Sequence, residues 1–289
     1  HDGAAGAPLA LLIDGHVQMF DCIEFNPELR WIDVASEVAF TYVDLLVHQQ
    51  AGLANWFLNL WLSHNGDYAA APLIRFYAVY RALVSAKVAA IRAGQSHGDD
   101  DQALKHLAQA EQLTITLPLQ LTITHGLSGC GKTVAAQAML QSACTNPTLC
   151  LRSDVERKRQ FGLGATAQSG SALDDGIYTV DAHARTYARL LELATGLLRC
   201  GWSVIVDAAF LQAADRDRFR ALAHSAGASF SILAPVATAD QLRERILARQ
   251  TLGHDASEAT LEVLARQLKT VQPLATHEPI WPTIDLPTS

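Results

Sequence analysis

The sequence predicts an α/β protein: a P-loop NTPase fold, with a parallel five-stranded sheet covered by helices on both faces, preceded by a mostly helical domain. Three observations predict it. From Leu117 onward, short apolar strands alternate with helical segments, the rhythm of a parallel sheet. A glycine-rich octapeptide, Gly126 to Thr133, sits between the first of those strands and a helix. Before residue 114, apolar residues recur mainly at helical spacing.

The elements follow in order. Residues 9–13 and 17–20 read as strands joined at Asp14-Gly15, a hairpin signal. Helical periodicity then runs through Trp31–His48, Leu53–Leu62 and Leu73–Ile91, punctuated by Gly52, Asn65-Gly66 and Pro72. A polar loop at 93–101 precedes a short helix at 102–113, and the expected domain boundary falls between residues 114 and 115. Strands are expected at Leu119–Thr124, Thr148–Leu151, Ser203–Val206, Ser229–Leu233 and Trp281–Leu286. Helices are expected at Lys132–Ala143, Val155–Gln160, Asp181–Cys200, Ala214–Ala226, Ala239–Gln250 and Glu258–Thr270.

Composition narrows the function classes. Hydrophobic residues make up 49 % of the 289, enough for a substantial core. The net charge of -7 argues against a surface that grips nucleic acid as a whole. No apolar run reaches the ~20 residues of a membrane-spanning helix. The five cysteines form no CxxC pair, which points to reduced thiols in a cytoplasmic protein.

Gly126-Leu-Ser128-Gly129-Cys130-Gly131-Lys132-Thr133 fits G-x-x-x-x-G-K-[ST]. Glycines let the backbone curl so that its N–H groups face phosphate oxygens, and the next helix, through Val134, offers its positive N-terminus. Lys132 is expected on the β- and γ-phosphates of ATP and the Thr133 hydroxyl on Mg²⁺. Nothing distinguishes ATP from GTP. Cys130 either packs or faces solvent.

Asp207 ends the apolar run Ser203-Val-Ile-Val, where a P-loop fold keeps a metal-binding carboxylate; the alternative is a turn cap. Asp154, after the second strand of the sheet, is a candidate general base or a helix cap. Arg152, Arg157, Lys158 and Arg159 are candidates for an anion site, with a solvated helix face as the alternative for the last three. Arg243, Arg245 and Arg249 lie where a lid would supply arginine to a transferring phosphoryl group; Arg243 and Arg249 are the named candidates. Tyr178, His183 and Arg185, after the loop at 162–176, are candidates to shape an acceptor pocket, with helix surface plus an aromatic contact as the alternative for His183.

Residues 117–289 resemble bacterial P-loop kinases close to gluconate kinases, zeta-type toxins and polynucleotide 5′-kinases. The resemblance rests on the octapeptide, on Arg152-Ser-Asp-Val-Glu-Arg-Lys158, on Gly176-Ile-Tyr178 and on Val204-Ile-Val-Asp-Ala-Ala-Phe210. It implies ATP-dependent phosphoryl transfer to a small hydroxyl acceptor. Such relatives often carry Thr at the place of Ala209. The stretch Phe20-Asp21-Cys-Ile-Glu24-Phe-Asn26, with Arg30-Trp31-Ile-Asp33-Val, resembles the C-terminal lobe of aminoglycoside phosphotransferases. That likeness implies a metal-binding aspartate at Asp21 and a structural one at Asp33. The His-Gly-Asp loop of those enzymes has no counterpart here, so the helices are expected to serve as a remnant or as a docking module for a partner protein.

Overall fold

The computed structural model describes residues 10–14, 16–19, 31–96, 98–143, 146–167, 177, 179–252 and 256–281. The chain divides into two compact units, residues 1–47 with 73–115, and residues 48–72 with 116–289.

The first unit is built from helices and one hairpin. Strands β1 (Ala10–Ile13) and β2 (His16–Met19) pair antiparallel, with Ile13 opposite His16. Asp14 takes φ 51° in the turn between them, the left-handed geometry such a tight loop needs. Helix α1 (Val34–Val47) is capped by Asp33, whose Oδ1 accepts from the Ala35 N–H at 2.9 Å. The next helix in sequence, α2 (Ala51–Asn65), belongs to the second unit. Helix α3 (Ala71–Ser96) buries Ile74, Ala78, Ala82 and Ala86, a stripe at a spacing of four. Helix α4 (Asp101–Thr114) packs against α1. Arg81 ties α3 to α1 by donating to the Ser36 hydroxyl and pairing with Glu37 at 2.8 Å.

The second unit is a parallel sheet of four strands, β3 (Gln120–Thr124), β4 (Thr148–Arg152), β5 (Ser203–Asp207) and β6 (Ser229–Leu233). Their order is β4-β5-β3-β6, so the first strand of the sheet lies between the third and fourth. Every residue of β5 is buried, as a central strand covered on both faces requires. Connecting helices are α5 (Lys132–Ser142), α6 (Ser153–Gln160), α7 (Val180–Arg199), α8 (Ala213–Ser225), α9 (Ala239–Leu252) and α10 (Leu261–Thr270).

Two expectations change. The fifth strand is reduced to a single parallel bridge between Ile232 and Ile280, and residues 282–286 lie outside the described ones. Residues 48–72, expected in the helical domain, pack with the sheet. β4 is an edge strand, and α2 runs beside it. Asn59 Oδ1 accepts from the Cys150 N–H at 2.7 Å, and Asn55 Oδ1 from the Thr148 N–H at 3.5 Å. Asn55 also donates to Ala143 O at 3.0 Å. A Cβ on Gly52 would lie 1.9 Å from Gln141 O, so the start of α2 touches the end of α5 backbone to backbone. Helix α2 ends at Gly66, φ 77°, whose N–H donates to Leu62 O. The segment closes where Trp202 Nε1 donates to Ala71 O at 3.2 Å.

Candidate functional site

The phosphate-binding loop begins where β3 stops. The His125 N–H donates to Leu233 O at 2.9 Å and the Gly126 N–H to Ala209 O at 3.1 Å, fixing the loop's start between β6 and the segment after β5. Gly126, Gly129 and Gly131 have φ of 143°, 86° and 96°, and Gly131 caps α5. A Cβ at Gly129 would lie 2.7 Å from Leu242 O, so the backbone of α9 also demands glycine there. Cys130 is buried with Leu242, Ile246 and Leu264, so its side chain packs rather than facing solvent. Lys132 Nζ donates to the carbonyls of Gly126 at 2.9 Å and Leu127 at 2.8 Å, held across the mouth of the loop.

The parallel order brings the ends of β3, β4 and β5 together. Thr133 Oγ1 donates to Asp207 Oδ2 at 2.7 Å. Asp207 and Arg152 are register partners, and Arg152 Nε lies 3.6 Å from Asp207 Oδ2. Burial pushes the Asp207 carboxyl above its ordinary value; Arg152, the Thr133 hydroxyl and Lys132 pull it back, and Asp154 pushes it up again. The donor set suits a nucleotide phosphate and magnesium: a glycine cradle at a helix N-terminus, one ammonium, and a hydroxyl beside a carboxylate, the hard oxygens that Mg²⁺ takes.

Asp154 stands in the first turn of α6, which has no side-chain cap, and accepts from Arg157 Nη1 at 3.3 Å. The basic run on α6 is neither a solvated face nor an open anion cluster. Lys158 is 1 % exposed and pairs with Glu258 at 2.9 Å. Arg159 pairs with Glu156 and donates to Ser63 O.

A cavity of about 630 Å³ opens beside this group. Its walls come from Leu60, Ser63 and His64 on α2, Arg152 on β4, Val155 on α6, Ala165 and Thr166 after it, Arg245, Ala248 and Arg249 on α9, and Ala256. Arg245 Nη1 also donates to Gly129 O at 3.4 Å. Leu242 and Ile246 turn one face of α9 to the loop, and Arg245 and Arg249 flank that stripe at helical spacing. Arg243 falls about a quarter-turn away, at 100° per residue. It is largely exposed and pairs with Asp240 at 3.5 Å, so the structure brings Arg249 to the site and not Arg243.

Tyr178 and Asp21 lie outside the described residues. His183 stacks on Tyr187, with ring centroids 4.4 Å apart, and sits 3.5 Å from Asp215; Arg185 pairs with Asp181 on the surface.

Three features escaped sequence reasoning. The end of α2 lines the cavity. Gln267 on α10 accepts the Ser128 N–H at 2.8 Å, within the phosphate loop. Phe210, just past Asp207, takes φ 47° while buried. It is held there by its N–H on the Tyr187 hydroxyl and by His125 and Arg216 on its carbonyl.

An uncharacterized protein of Mycobacterium tuberculosis is 32 % identical over 261 residues, 89 % of this chain and 51 % of that relative. The chain thus spans about half the length of the curated relatives it matches. A sugar kinase from a Janibacter species aligns with TM-score 0.43 at 21 % identity, over 60 % of this chain and 88 % of that one. A gluconokinase from Sinorhizobium meliloti aligns with TM-score 0.39 at 22 % identity, over 61 % and 86 %. The AAA domain model matches residues 121–274, from the buried start of β3 past the end of α10, more than half of the chain, and the chain belongs to that family.

Proposed function

We propose that this chain transfers the γ-phosphoryl group of ATP to a hydroxyl of a small molecule. One observation carries the reading: Arg152 belongs both to the cavity wall and to the Thr133–Asp207 pair, so a space of acceptor size adjoins the phosphate cradle.

On this reading Lys132 trades its loop carbonyls for β- and γ-phosphate oxygens. Thr133 and Asp207 would hold Mg²⁺, which would supply charge neutralisation at those oxygens. The acceptor oxygen bonds to the γ-phosphorus as the bond to the bridging oxygen of ADP breaks, and Asp154 takes the hydroxyl proton. Arg249 and Arg245 face the charge that spreads over the transferring group. The stretches Phe20–Asn26 and Arg30–Val34 support, by sequence likeness, an aminoglycoside-phosphotransferase-like lobe as the origin of the first unit. Asp33 serves there as a helix cap.

The test is ATP-dependent phosphorylation of a metabolite pool. Lys132→Ala should abolish it, and unchanged turnover in that variant would sink the assignment. Asp154→Asn should slow transfer by about 10²–10⁴-fold, with the affinity for an ATP analogue nearly intact.

A further inference from the structure

The cavity is finished by a helix outside the segment that the AAA domain model matches. Residues 121–274 supply its inner wall; Leu60, Ser63 and His64 of α2 supply the remainder. That wall is held firmly. Asn55 and Asn59 fasten α2 to β4, and Arg159 donates to Ser63 O, tying its last turn to α6.

The lining is one-sided in charge. Arg152, Arg245 and Arg249 bring three guanidinium groups, His64 an imidazole, and Ser63 and Thr166 hydroxyls, while no carboxylate is among the described lining residues. This collects on a chain of net charge -7. Guanidinium groups donate and never accept. Such a lining suits a molecule rich in acceptor oxygens, whereas an aminated sugar would meet like charge. The negative end of the α2 dipole opposes an anion. However, Arg159 answers the Ser63 carbonyl and the Gly66 N–H answers that of Leu62, so the side chains of Ser63 and His64 remain the helix's contribution.

We propose that the acceptor is a small anionic hydroxyl compound, bearing a phosphate or carboxylate held between Arg152 and the Ser63–His64 turn of α2, and that α2 selects it. This rests on the phosphotransferase reading.

The test uses the full chain with its phosphate loop saturated by a non-hydrolysable ATP analogue and Mg²⁺. Calorimetric titrations compare glycerol 3-phosphate with glycerol, and are repeated on Lys132→Ala, where the loop's own anion site is weakened. Glycerol 3-phosphate should bind at least ~10-fold tighter than glycerol in both chains, the effect of one or two charge-assisted hydrogen bonds. His64→Glu should weaken it by ~10-fold or more while ATP-analogue affinity stays unchanged. Equal binding of the two probes, wild-type anion affinity in His64→Glu, or tighter binding of a 5′-hydroxyl oligonucleotide would overturn the proposal. Failure of the ATP analogue alone to bind would instead strike the phosphotransferase reading, because the anion titration remains readable without it.

Discussion

Asn59→Ala tests whether α2 is a working part of the sheet. The side chain's Oδ1 accepts from the Cys150 N–H at 2.7 Å on the free edge of β4. Alanine leaves that N–H facing a helix that cannot answer it. An unpartnered, partly buried donor costs about 1–3 kcal/mol. For a unit of roughly two hundred residues, each kcal/mol lowers Tm by about 2–4 °C, so a fall of about 2–12 °C is expected. Differential scanning calorimetry of the full chain reads it, with Leu53→Ala as the control on the same helix, because Leu53 is 46 % exposed. ATP-analogue affinity should hold, since Asn59 touches none of the phosphate loop. If Asn59→Ala costs no more than Leu53→Ala, the edge is satisfied by something other than α2 and the reasoning fails.

Two further outcomes follow from the geometry. Gly129→Ala should lower both stability and ATP-analogue affinity. At φ 86° a Cβ is strained by about 1–3 kcal/mol, and it would press on Leu242 O at 2.7 Å; denaturant titration with an unchanged midpoint would refute this. Glu278 should make stability depend on pH in the acid range. Burial alone would raise its carboxyl, but bonds from Arg216 and the Ala275 N–H, with the charges of Arg216 and Arg220, bring it below its ordinary value of 4.5. A lowered folded value means the stabilisation is complete above 4.5 and is lost as pH falls through that lower value. Glu278→Gln should therefore melt lower at pH 7 and show a flatter acid limb, and parallel melting curves for the two chains would exclude the effect.

The phosphate loop was legible because its chemistry is written in adjacent residues: glycines for the curl, then Lys132 and Thr133. Asp207 was legible for a related reason, since a wholly apolar strand ending in a carboxylate has few other uses. The allegiance of α2 was not. Asn55 and Asn59 look like the polar face of any surface helix, and their partners lie 93 and 91 residues away. The α6 charges misled in the same way. Lys158 reads as solvated until Glu258, from beyond α9, covers it. Arg243 and Arg249 lie on the same helix after β6, and the packing of Leu242 and Ile246 against the loop separates them.

The edge bonds and the cavity belong to one arrangement. Asn55, Asn59 and Ser63 are spaced by four on α2, a stripe rising about 6 Å per step, close to the two-residue step of a strand at about 6.6 Å. The stripe therefore keeps register with β4: Asn55 at Thr148, Asn59 at Cys150, and Ser63 at the cavity wall that also contains Arg152. Helix and strand run in the same direction, so the helix delivers its last turn to the carboxyl end of the strand. That is the end of a parallel sheet at which ligands bind. One spacing thus gives α2 two places, along the edge of the sheet and in the wall of the cavity.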